Sequence, residues 1–141
     1  MKVVRKVYSK EELIEAASAF HGHTGPYLVL GLKAGEVAQR ALGHDPFNVS
    51  CEVHCEPRPP QSCIVDGIQF STSCTMGKGN IRMLNSDTLR IVFRKGPTAV
   101  EILPKKELIE MLKKAKGKES DELSDRLYEM PAEDIFNVKR T

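Results

Sequence analysis

A chain of 141 residues, 40% hydrophobic and 28% charged, has the length and composition of one compact domain with a real core and no disordered bias. Its 21 basic and 19 acidic residues are spread along the chain and leave a net charge of +2, too balanced for the electrostatic footprint of a nucleic-acid-binding protein. Met1 to Lys10 lacks the apolar segment of a signal peptide and no run is long enough to span a bilayer, which predicts a cytoplasmic protein without a membrane partner. In that setting the four cysteines read as thiols or metal ligands, not as a disulfide framework.

Ser9-Lys10-Glu11-Glu12 is a capping box, and Leu13, Ile14, Ala17 and Phe20 follow as the apolar stripe of a first helix that delivers His21. Next comes His21-Gly22-His23-Thr24-Gly25-Pro26. In a loop, residues two apart project to the same side, and Gly22 lets the backbone bend, so the two imidazoles can reach one point. Pro26 suits the first turn of a second helix, with Tyr27, Leu30, Ala34, Val37, Ala38 and Ala41 at helical spacing and a stop at Gly43. The positive end of that helix is expected beside the histidines.

From Phe47 to Glu56 apolar and polar residues alternate, the pattern of a half-buried strand, which sends Cys51 and Cys55 to the core and His54 to the opposite face. Pro57-Arg58-Pro59-Pro60 breaks it. A third helix is predicted from Gln61-Ser62-Cys63, with Ser62 as cap and Ile64, Val65 and Ile68 inward. Strands follow around Ile81 and Met83, around Leu89, Ile91 and Phe93, and around Val100 and Ile102, read as an antiparallel meander. Pro104 is expected to open a helix carrying Leu108, Ile109, Leu112 and Ala115 that ends at Gly117, and Ser120 to cap a last one carrying Leu123, Leu127 and Met130. The segregated order predicts an α+β fold, an antiparallel sheet packed with helices, in a single domain over residues 1–141.

Histidine and cysteine together suit a borderline-soft divalent transition metal such as zinc, and catalytic zinc sites typically use three protein ligands and leave a position open. His21, His23, Cys63 and Cys74 are the candidates. In the first turn of a helix, Cys63 is expected to have a lowered pKa, as a ligand or as a nucleophile with His23 or His21 as its base. The competing reading has the histidines bridging helices by hydrogen bonds and the cysteines acting as small hydrophobes. Asp66 and Gln69, neighbours on one helix face, are placed to orient a histidine or a bound water, or simply to make that face polar. The loop Gly77-Lys78-Gly79-Asn80 offers backbone N–H groups and a lysine to an anionic ligand, or is a structural turn; it lacks Walker A spacing.

Phe20-His21-Gly22-His23 with Pro26 and Gly31, followed by Cys63, Asp66, Ile68-Gln69 and Cys74-Thr75-Met76-Gly77-Lys78-Gly79-Asn80, closely resembles the FmdE family of formylmethanofuran dehydrogenase proteins. The likeness runs from about Ser9 to Met130-Pro131-Ala132-Glu133-Asp134-Ile135-Phe136. It implies an α+β core that dimerises and an association with molybdenum or tungsten formylmethanofuran dehydrogenase operons, and it puts the family's histidine pair on His21 and His23 and its later cysteines on Cys63 and Cys74. The family pattern H-G-H-x-C-P has cysteine where this chain has Gly25, which changes the ligand count or removes a nucleophile. No cysteine follows Cys74, so the zinc finger that some members append has no counterpart, and the resemblance is to a core-only member. Three readings follow. The first is a zinc-binding homodimeric accessory protein of that dehydrogenase or another metalloenzyme, or of metal or pterin cofactor handling. The second is a metal-free thiol enzyme using Cys63, and the third a structural dimeric subunit.

Overall fold

The Ser9 capping box forms as its sequence requires: the Ser9 hydroxyl accepts from the Glu12 N–H while the Glu12 carboxylate accepts from the Ser9 N–H. It starts α1 (Lys10–His21), which is followed by α2 (Pro26–Leu42), β1 (Ser50–Cys55), α3 (Ile64–Thr72), β2 (Ile81–Asn85), β3 (Arg90–Lys95), β4 (Thr98–Pro104), α4 (Lys106–Lys114), α5 (Lys118–Glu129), α6 (Ala132–Ile135) and β5 (Phe136–Arg140). This computed structural model describes residues 1–141. The fold is α+β, with one five-stranded, mostly antiparallel sheet in the order β2-β1-β3-β4-β5.

The sheet departs from a meander at β2. That strand does not turn back onto β3; it pairs parallel with β1, Cys51 opposite Ile81 and Val53 opposite Met83, and α3 makes the crossover. A parallel neighbour needs such a long connection, and α3 supplies it. β3 then pairs antiparallel with β1 and with β4, and β4 with β5.

Cys51, Val53, Cys55, Ile91, Phe93, Val100 and Ile102 form the buried face of the sheet. The opposite face carries Glu52 between Arg82 and Arg94, and Arg90 paired with Glu101. Against the buried face lies α2, apolar on every side and buried from Pro26 to Gly35, as expected of a helix enclosed by other elements. Here α2 and α3 meet backbone to backbone. A Cβ on Gly31 would fall 2.3 Å from the Ile64 carbonyl oxygen, and one on Gly67 would fall 2.3 Å from that of Leu28. Only glycine fits at both points, and the close approach brings the start of α3 beside the end of α1.

Several boundaries differ from expectation. Phe47 sits in a turn and is half exposed, so the strand begins only at Ser50. Residues 61–63 form a 3₁₀ turn leading into α3, and Ser62 makes no side-chain cap. Pro104 closes β4 instead of opening α4, Gly117 stands at the N-cap of α5 with φ of 56°, and Ser120 lies inside that helix. No helix is long and apolar enough to cross a membrane.

Candidate metal site

Three chain segments converge at the site. His21 ends α1, and the helix stops there because Gly22 adopts φ of 101°, a left-handed conformation that costs glycine little, with its N–H closing on the Ser18 carbonyl. The turn places His23 over His21, ring centroids 4.6 Å apart, and the hydroxyls of Ser18 and Thr24, 2.6 Å apart, tie the loop back to α1. From the other side α3 brings Cys63 at its N-cap and Asp66 in its first turn. One ligand atom each from His21, His23 and Cys63 lie within 4.8 Å of one another. His23 is exposed, while Cys63 is partly covered.

His21 is held firmly. Its Nδ1 lies 2.5 Å from Asp66 Oδ2, and the other Asp66 oxygen accepts from the Gln69 amide at 3.2 Å. Gln69 in turn accepts from the Met76 N–H at 2.9 Å, so the 76–78 turn, Gln69, Asp66 and His21 form one chain of hydrogen bonds. A carboxylate at Nδ1 fixes the proton there and leaves a lone pair on Nε2. That Nε2 is buried and has no hydrogen-bond partner, and the side chain as a whole is only 9% exposed. Borderline N, N and S donors around an orphaned imidazole nitrogen fit a transition metal.

The other predicted site residues lie elsewhere or are engaged within the fold. Cys74 is fully buried in the core, 3.5 Å from the Val49 carbonyl, and stands apart from the cluster. Lys78 Nζ donates to the Ser73 carbonyl and, at 2.9 Å, to the Thr75 hydroxyl. Asn80 accepts from the Thr75 N–H at 2.8 Å and donates to the carbonyls of Pro46 and Val49. A Cβ on Gly77 or Gly79 would meet nothing within 4 Å. The polar groups of this loop thus tie it to the fold. Cys63 also differs from expectation. Burial, and after it the Asp66 carboxylate, pushes its thiol above the usual range, so no helix-end activation prevails. The largest cavity, about 700 Å³, contains none of the three donors; it lies under the N-terminal segment between Lys33, Arg40, Phe70 and Tyr128.

Fold and site together define a small α+β domain carrying an imidazole, imidazole and thiol cluster reachable from solvent. The chain belongs to the FmdE family: the family model "FmdE, Molybdenum formylmethanofuran dehydrogenase operon" matches residues 20–137. The fold is similar to that of a crystal structure of an FmdE-like protein of tungsten formylmethanofuran dehydrogenase from Syntrophus aciditrophicus, with a TM-score of 0.70 and 22% identity over 99% of this chain and 77% of that one. In sequence, 99 residues are 29% identical to a protein of Archaeoglobus fulgidus named a probable S-adenosyl-L-methionine-binding protein, covering 64% of this chain and 26% of the relative. The chain therefore spans about a quarter of that relative's length.

Proposed function

We propose that this chain is a metal-binding accessory protein of a molybdenum or tungsten formylmethanofuran dehydrogenase system, holding a divalent transition metal, zinc first, through His21, His23 and Cys63. The observation that carries the reading is His21 Nε2, buried without a partner while Nδ1 is committed to Asp66. A buried polar atom left unpaired costs about 1–3 kcal/mol, and a metal ion is the partner that an imidazole oriented by a carboxylate suits best. Family membership supports the link to the dehydrogenase operon. When bound, the ion would act as a Lewis acid toward an incoming ligand.

An accessory role is favoured over catalysis because no base is free beside the cluster. Both imidazoles serve as donors, and the Asp66 carboxylate is shared between His21 and Gln69. The reading includes a cytoplasmic homodimer, which a solution mass measurement would check.

Elemental analysis of untagged protein tests the proposal, beside a His21→Ala/His23→Ala variant. Near-stoichiometric zinc, nickel or iron in the wild type and none in the variant is the expected result. Protein that stays metal-free after reconstitution under reducing conditions would reject it.

A further inference from the structure

Gly25 adopts φ of −149° and ψ of 168°, extended backbone open to any residue, so its conformation does not require glycine. What glycine provides there is space. A Cβ at position 25 would stand 3.3 Å from Cε1 and 3.6 Å from Nδ1 of His23 and would meet nothing else within 4 Å. The empty volume therefore borders the His23 ring, at the edge of the three-donor cluster.

Gly25 is also the N-cap of the 17-residue α2, and it makes no side-chain cap where serine, threonine, asparagine or aspartate would accept from the first turn. Pro26 has no N–H, and the remaining first-turn N–H groups have no intrahelical acceptor. The positive end of a long helix is thus left uncapped by any side chain at position 25. The buried, unpartnered Nε2 of His21 in the adjoining cluster is independent of this helix end and marks the place as one that receives a ligand.

We infer that Gly25 keeps one flank of the His21, His23 and Cys63 cluster free of a protein donor and reserves it for a small anionic donor such as a thiolate, drawn by the first turn of α2. The inference rests on the metal-binding reading above and goes beyond it in assigning the class of ligand and the residue that admits it. A side chain with a donor atom at position 25 would close the site.

Cobalt(II)-loaded protein tests this, with azide and 2-mercaptoethanol as probes and visible and near-ultraviolet absorption as the readout. Wild type should show the charge-transfer band of one thiolate and should change its spectrum on titration with either probe. Gly25→Cys should roughly double that band, one thiolate becoming two, and lose the response to azide. Gly25→Ala adds bulk without a donor and should keep the one-thiolate spectrum, which separates coordination from distortion. Cobalt binding by the wild type with no response to either probe would overturn the inference alone, as would a Gly25→Cys spectrum and azide response equal to wild type. Failure of the wild type to bind cobalt would overturn the metal-binding reading, and this inference with it.

Discussion

His21 Nδ1 and Asp66 Oδ2 lie 2.5 Å apart although 45 residues separate them in the chain. The contact joins the last residue of α1 to the first turn of α3 and decides which imidazole nitrogen faces the cluster. A carboxylate in this position raises the basicity of the ring as well as orienting it, and loss of such a partner typically costs about 10–100-fold in metal affinity. Asp66→Asn keeps the shape and removes the charge. It should weaken zinc binding by roughly that factor in a chelator competition, with little change in Tm. Unchanged affinity would show that Asp66 does not support a ligand.

The Gly31 and Gly67 contact should behave as a structural constraint on the site. Gly31→Ala gains about 1 kcal/mol of helix propensity but drives a methyl group into the Ile64 carbonyl and the Gly67 Cα, where neither partner is a flexible side chain. Overpacking of this kind costs about 3 kcal/mol, so a net loss of about 2 kcal/mol is expected in urea unfolding. Because the same contact sets the α1 to α3 spacing, metal affinity should fall with it.

Metal affinity should also depend on pH through Cys63. Burial and the Asp66 carboxylate raise its thiol pKa, so near neutrality the free site holds the proton and binding must release it. Affinity is expected to rise about tenfold per pH unit below the thiol pKa, and Cys63→Ser should flatten that slope. The linkage to folding has the opposite sense. A thiol raised in the folded state contributes stability that is fully present below the ordinary thiol value and is lost as pH climbs through the raised one. A metal-free sample should therefore lose stability on the alkaline side.

The loop after α3 should prove structural. Asn80 makes three hydrogen bonds that bind the loop to Thr75, Pro46 and Val49, so Asn80→Ala should cost about 2 kcal/mol while leaving zinc stoichiometry unchanged. Lys78→Ala should not alter anion binding, since the ammonium is already engaged by Ser73 and Thr75. A loss of ligand binding in Lys78→Ala would restore the loop as a binding element.

Local signals made much of this molecule legible. The capping box, the left-handed stop after His21 and proline at the start of α2 each act within a few residues, so the turn that presents the histidine pair could be read directly. Strand pairing could not. The alternation around Ile81 says that a strand forms but not that its neighbour is β1, because the partner depends on where α3 carries the chain. β5 was hidden for another reason: on this edge Asn137, Val138, Lys139 and Arg140 are exposed, so no apolar period marks it. At the site, Cys63 and Cys74 had equal claims by residue type, and only packing separated a thiol beside the histidines from one sealed in the core. The Gly31 and Gly67 contact also left no chemical signal beyond two helical glycines.

X-ray absorption at the zinc edge of the loaded protein tests the central claim most directly. Ligation by His21, His23 and Cys63 predicts nitrogen scatterers at about 2.0 Å, including the outer-shell pattern of imidazole, and one sulfur at about 2.3 Å that disappears in Cys63→Ala. An oxygen-only first shell, or a sulfur shell that persists in Cys63→Ala, would contradict it.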